Sequence, residues 1–190
     1  MKKVLIISGI VVAVLVVGLA VVWFNLNGLV KAAIETSGSS ATGTQVAVGS
    51  VNLSPLSGSG TLKNLTVANP EGFPEGNAAE LGDLHIKIDP KTLREDPVVI
   101  ETLKISNPLI HYDFTLRGDN ISAIRKNIEG SGSGGDAGDS GFEKSIVIKQ
   151  LEIEGASVTF GAGFLSTKKG SLNLDPIEIN DIGVDENGIE

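Results

Sequence analysis

The run "GTLKNLTVANP" at residues 60–70 returns in altered form as "VVIETLKISNP" at 98–108 and as "IVIKQLEIEGA" at 146–156. Leu65 and Val67, Leu103 and Ile105, and Leu151 and Ile153 occupy matching places, each pair preceded three residues earlier by Leu62, Ile100 or Ile148. A fainter fourth copy is "EINDIGVDEN" at 178–187, with Ile179, Ile182 and Val184. The copies are 38, 48 and 31 residues apart (65 to 103, 103 to 151, 151 to 182), too irregular for a solenoid of fixed period. The expectation is therefore a meander of strand pairs joined by loops of variable length. Within each copy the apolar spacing is three and then two, so a regular strand would turn the first residue away from the other two. A bulge or a strongly twisted position inside residues 61–67 would restore a common face.

Between the repeats, Leu84, Ile86 and Ile88 alternate with Asp83, His85, Lys87 and Asp89, while Ile110, Tyr112, Phe114 and Leu116 alternate with His111 and Asp113. Each such strand has one apolar and one wet face, the signature of an antiparallel sheet with solvent on its far side. Strands are expected near 45–53, 60–68, 80–89, 97–106, 109–117, 144–154, 156–161 and 170–180. One short helix is expected over 118–130, "GDNISAIRKNIEG", with Asp119 or Asn120 as N-cap and Ile121, Ile124 and Ile128 on one face. The segment 130–141, "GSGSGGDAGDSG", has one alanine as its sole apolar residue and reads as a linker rather than a calcium loop. "NPEGFPEGNAAEL" at 69–81 is a loop whose Phe73 would serve either to cap an open sheet edge or to sit on the surface.

Residues 4–24 are almost wholly apolar and uncharged, and as a helix they would reach roughly 30 Å. With Lys2 and Lys3 before them and no further charge until Lys31, a single-pass transmembrane signal-anchor is expected, its N-terminus cytoplasmic. Val4 opens the anchor, and Trp23 and Phe24 close it at the interface. A cleavable signal peptide is the competing reading, because Gly18-Leu19-Ala20 supplies small residues for a peptidase. The expected organisation is thus 1–28 for the cytoplasmic end and transmembrane helix, 29–44 for a helical stalk and hinge, and 45–190 for an exported β-rich domain.

The 190-residue chain carries 15 basic and 23 acidic residues. All the acidic residues and 13 of the basic ones follow residue 24, so the exported part carries 13 minus 23, or −10. Nucleic acid is disfavoured as a partner, and lipid contact would have to run through apolar surface. Cysteine is absent, which removes disulfides and thiolate chemistry. No phosphate-binding loop, nucleophile elbow or dinucleotide fingerprint is present, so the expectation is a protein without enzymatic activity or cofactor. His85 with Asp83 or Asp89, and His111 with Asp113, would make a divalent-metal cluster if their strands were adjacent in the right register; the plainer reading is a solvated strand face. Asn52, Asn64 and Asn120 begin N-glycosylation patterns of low specificity.

The stretch 31–73, together with "VVIETLKISNPLIHYD" (98–113) and "IVIKQLEIEGASVTF" (146–160), resembles the AsmA-like proteins of bacterial envelopes. That resemblance implies a bacterial inner-membrane protein with a periplasmic β-groove, related to bridge-like lipid transfer proteins and acting in lipid transport, outer-membrane assembly and cell-envelope maintenance. The chain is far shorter than the large members of that family. The fold expected is mainly β: a curved antiparallel sheet, either an open groove or a half-barrel, after the transmembrane helix. The residues expected to line an apolar groove are Leu62, Leu65 and Val67, then Leu84, Ile86 and Ile88, then Ile110, Tyr112 and Phe114, and finally Ile148, Leu151 and Ile153. A closed core would use the same twelve. The partners expected are the bilayer, phospholipid acyl chains, and either further copies of the chain or other envelope proteins. The alternative function is assembly through sheet edges without lipid cargo.

Overall fold

A computed structural model describes residues 2–116, 118–130, 144–162 and 165–184. The order is α1 (Lys2–Thr42), β1 (Val46–Ser54), β2 (Ser59–Ala68), β3 (Asn77–Ile88), a 3-10 turn (Thr92–Arg94), β4 (Val98–Thr115), β5 (Gly118–Asp119), α2 (Asn120–Gly130), β6 (Ile146–Glu154), β7 (Ser157–Ala162), β8 (Leu165–Asn173) and β9 (Ile177–Ile182). The chain is mainly β, as expected, and all nine strands belong to one open sheet whose main path is β1-β2-β3-β4-β6-β9. The segment expected as a linker falls largely at 131–143, outside the described residues.

The sheet is mixed, which corrects the purely antiparallel expectation. β1 to β4 form an antiparallel meander, but β4 pairs in parallel with β6 along its first half and with β7 along its second. Val98 faces Ile146, Ile105 faces Ile153, Leu109 faces Ser157 and Phe114 faces Ala162. The offset is 48 throughout, the same interval that separates the second and third copies of the repeat. Along β6 two similar phrases lie side by side in one direction, like residue against like, as in Ile100 with Ile148 and Leu103 with Leu151. The two strands expected at 97–106 and 109–117 are one continuous 18-residue strand, β4. Pro108 is tolerated within it because the neighbouring residue, Asn107, is a break in the regular ladder.

Asn107 adopts φ 54 and Asn64 adopts φ 52, both in the left-handed region that costs most residues energy and that Asn tolerates best. Neither residue is paired: the β2–β3 ladder joins Lys63 to Asp83 and Leu65 to Leu81, and the β3–β4 ladder joins Asp83 to Ser106 and Leu81 to Pro108. The residues skipped line up across the sheet as Gly49, Asn64, Gly82, Asn107 and Gly155. Gly155 has φ 65, and a Cβ there would lie 2.5 Å from Asn107 Oδ1; one on Gly49 would lie 3.0 Å from the Cβ of Asn64. Glycine and asparagine therefore alternate because each asparagine backbone needs room on both sides. This crease is the irregularity expected inside 61–67, although the register is unchanged across it and no residue is inserted. It leaves Lys63 and Asn64 both exposed while Leu62 and Leu65 are both half-buried, so a spacing of three still serves one face.

The long helix corrects a second expectation. Among the described residues no helix is long and apolar enough to cross a membrane. This overturns the transmembrane signal-anchor and, with it, the placement as a single-pass inner-membrane protein with a cytoplasmic N-terminus and a periplasmic domain. The described side chains of α1 show how the helix is used instead. Beyond Phe24 come Asn25, Asn27, Lys31 and Glu35, and the polar side chains spaced four apart bind the outer edge of β1. Leu53 N–H donates to Asn27 Oδ1 (2.9 Å), Lys31 Nζ donates to Gly49 O (3.2 Å), Val48 N–H donates to Glu35 Oε1 (2.9 Å) and Val46 N–H donates to Ser39 Oγ (2.8 Å). Four positions one helical turn apart form a single stripe, and that stripe supplies the partners an edge strand otherwise lacks. The helix ends inside the small-residue stretch 37–44: Gly43 takes φ 66 and its N–H donates to Ser39 O at 3.0 Å. Trp23 and Phe24, expected at a membrane interface, line a cleft of about 530 Å³ with Leu26, Leu53, Pro55 and Leu56. The side chain of Val4 lies outside the described residues.

α2 forms where the sequence predicts. Asp119 is its N-cap, accepting from Ser122 N–H at 2.8 Å. At its C-terminal half Asn127 Nδ2 donates to Thr42 O (2.8 Å), tying it to the end of α1.

Candidate functional site: an apolar face covered at one end

Because residues opposite one another on paired strands point to the same face, the ladders define rows across the sheet. One row runs Val46, Val67, Ala79, Ile110, Val158, Leu172. Past the crease a second runs Val51, Leu62, Leu84, Ile105, Ile153, Ile177, and a third Leu53, Gly60, Ile86, Leu103, Leu151, Ile179. A fourth runs Ile88, Ile100, Ile148, Ile182. Offset by one residue lie polar rows, of which the longest is Asn52, Thr61, His85, Lys104, Glu152, Glu178. One face is aliphatic for the width of the sheet and the other is mainly hydrophilic, with Val99, Leu109 and Val147 as apolar exceptions.

Coverage of the aliphatic face falls away from α1. Val46 is 6% exposed, Ile110 41% and Leu172 51%, all in one row; in the next, Val51 is 9% exposed and Ile177 39%. Among the described residues the buried apolar side chains are Val46, Val48 and Val51 of β1 with Ala78, Val147 and Ala156, of which Ala78 and Val147 are offset by one from the aliphatic rows and lie on the other face. The helix causes this at the β1 end: a Cβ on Gly38 would lie 3.1 Å from Val46 Cγ1, so α1 sits directly on that side chain. With strands about 4.8 Å apart, the face from β2 to β9 is four spacings wide, roughly 19 Å.

All twelve residues expected in the groove fall on these strands. Leu62 and Leu84 share a row, as do Ile86 and Leu151, and as do Val67 and Ile110; Ile88 and Ile148 share another with Ile100 between them. Leu65 faces Leu81, and Ile153 lies beside Ile105. Tyr112 and Phe114 extend the face beyond the start of β3 and form an aromatic group with Phe160, with centroids 4.6 Å from Tyr112 to Phe114 and 6.2 Å from Tyr112 to Phe160, both edge-on. Phe160, Ile177 and Ile179 were not in the expected set. The signal for them was present: "SVTF" at 157–160 matches "LIHY" at 109–112 once the offset of 48 is applied, and "IEI" at 177–179 alternates.

The end of the face near Tyr112 is held by a polar hub. Asn120, fully buried, accepts from Asp113 N–H (3.0 Å) and donates to Asn69 Oδ1 (2.7 Å) and His111 O (2.6 Å). Asn69 in turn donates to Asp113 Oδ2 (3.1 Å) and Pro74 O (2.9 Å). Every polar atom of Asn120 is thus used, which is the condition for burying an amide at low cost. The burial also removes Asn120 from the surface that a glycosylation acceptor needs. Tyr112 and Asp119 interact: burial raises the Tyr112 hydroxyl above its ordinary value, with the neighbouring carboxylate adding to the rise. The bond from Ser122 N–H holds the Asp119 carboxyl below its ordinary value, with Tyr112 a smaller contribution.

The metal cluster is not formed. His85 lies opposite Lys104 and His111 is seven residues further along β4, roughly 23 Å away. His85 Nδ1 meets Thr61 Oγ1 (3.2 Å), and His111 meets Thr159 Oγ1 (2.7 Å) and Glu80 Oε1 (3.4 Å). Among the described residues no group of three or more metal-ligating side chains comes together. Phe73 does not cap an edge either, since its loop joins β2 to β3, both interior strands. The glycine and aspartate run at 134–141, weighed as a calcium loop, lies outside the described residues.

The chain matches no protein-family model, and comparison with curated proteins finds no match either.

Proposed function

We propose that the chain is an AsmA-like protein whose aliphatic sheet face shelters lipid acyl chains, in the service of cell-envelope and outer-membrane maintenance. The observation that supports this reading is the continuity of aliphatic rows across the sheet with exposure rising from β1 towards β8 in one row and β9 in another. A water-facing patch of this kind costs free energy in proportion to its area, and an acyl chain laid on it recovers about 0.8 kcal/mol per methylene removed from water. The face carries aliphatic and aromatic side chains without a charged group in its rows, so it selects for hydrocarbon and against headgroup charge. Lipid extraction and mass spectrometry of the purified full chain test the reading. Near one acyl chain per molecule is the expected result, lost on Ile110→Glu together with Ile179→Glu; a lipid-free preparation that takes up no fatty acid would refute it.

A second reading, assembly through sheet edges without cargo, is favoured by the outer edge of β9, which pairs with no further strand among the described residues. A lipid-free preparation that sediments as a large ordered oligomer would support it.

A further inference from the structure

The two ends of the sheet's main path are treated differently. α1 supplies a bonding side chain to β1 at four places, whereas among the described residues β9 pairs with β6 alone and no side chain binds its outer groups. An unprotected strand edge is a template for another strand. We propose that the outer edge of β9 accepts an extended segment of another protein in which aliphatic and basic side chains alternate.

The aliphatic half of that preference comes from the rows. Ile177 and Ile179 end two of them, 39% and 45% exposed, and an incoming strand would extend both by one residue. The basic half comes from the opposite face. Lys104 bridges Glu152 (3.1 Å) and Glu154 (2.9 Å), so on its inner side the polar row is compensated. Glu178 comes next, directly opposite Glu152, which places two like charges across one strand pair, an unfavourable arrangement. Its bond from Gln150 Nε2 (3.2 Å) is to a neutral amide, and among the described residues no cation lies within ion-pair distance of it. The row reads cation, anion, anion, edge. A lysine or arginine on the next strand completes it.

The same residue argues against a second copy as the occupant. Antiparallel pairing of two β9 strands in the register that sets Ile177 against Ile179 places Glu178 against itself, in a chain of net charge −8. The length of the segment is also set. Pro176 precedes the strand, which runs Ile177–Ile182 with a crease at Asp181 (φ 56), so the stretch open to pairing is six residues long. This inference is independent of whether the aliphatic face holds lipid.

The test uses the full chain and a fluorescein-labelled seven-residue peptide alternating isoleucine and lysine, with an isoleucine–glutamate peptide as control. Binding is followed by anisotropy, and its location by amide hydrogen exchange across 177–182. The expected result is binding of the lysine peptide, weakened by salt, with slowed exchange in β9 and no binding of the glutamate peptide. Glu178→Lys, a change on an exposed face, is expected to weaken the lysine peptide about fivefold or more and to allow the glutamate peptide to bind. Protection confined to the aliphatic face, or binding indifferent to Glu178→Lys, would overturn the proposal. Peptide-free self-association that protects β9 would overturn it too, by naming a second copy as the occupant.

Discussion

The β1 and β9 edges of one sheet differ in almost every respect. At β1 a helix lies against the strand, its polar stripe of Asn27, Lys31, Glu35 and Ser39 satisfies the outward amide and carbonyl groups, and Val46, Val48 and Val51 are buried. At β9 the same aliphatic rows arrive at the surface with Ile177 and Ile179 exposed. What separates them is coverage and not composition, since both strands are aliphatic on one face. Stability should therefore be concentrated near α1, and binding near β9.

The sharpest way to break that comparison is to place the same charge at each end. Val48→Asp buries a carboxylate beside Glu35 and should cost about 4 kcal/mol or more, enough to unfold a marginal domain. Ile179→Asp at the open end should cost less than about 1 kcal/mol. Urea denaturation followed by circular dichroism measures both, and equal losses would mean that coverage does not govern stability here. The crease comes next. Asn107→Val puts a β-branched residue at φ 54 and should lose about 2 kcal/mol, whereas Asn107→Gly should change stability by less than about 0.5 kcal/mol. A valine that is tolerated as well as glycine would show that the left-handed backbone is not required.

Removing one rung of the helix ladder is a smaller change. Glu35→Ala leaves Val48 N–H without its carboxylate partner and should cost about 1 kcal/mol, with greater self-association through β1 seen in sedimentation. The smallest effect expected is in acid. Asp119 is held below its ordinary value of 3.8, so its capping of α2 stabilises the fold fully above that value and is lost as pH falls through the lowered one. Asp119→Asn, which keeps an N-cap acceptor, should flatten that acid limb in a pH series of thermal melts while leaving the neutral melting point nearly unchanged.

Much of this arrangement was legible in the residues. The alternation in "LHIKI" and "IHYDF" fixed which side chains share a face, and the spacing of Leu62, Leu65 and Val67 required an irregularity that Asn64 supplies. The direction of pairing was not legible. Both parallel and antiparallel neighbours satisfy the same alternation, and what decides between them is a connection through α2 and residues beyond it. The helix misled for a related reason. Apolar content over 4–24 suggested a span, whereas the information on how α1 is used lay in four polar residues spaced by four, a pattern meaningful only once β1 is seen beside it. The role of Asn120 was equally hidden, because its partners Asn69, His111 and Asp113 are brought together by folding alone.

The constant offset of 48 between β4 and the β6–β7 pair also carries a consequence for synthesis on the ribosome. Strands β1 to β4 close one hairpin at a time as they emerge, each contact spanning a short loop. The later pair waits until the whole excursion through α2 has been made, and its closure entropy rises only logarithmically with that length while its search time is long. Half of the molecule is thus a scaffold on which the other half is assembled, and a nascent chain paused before residue 146 would already present the long outer flank of β4 to whatever strand arrives first.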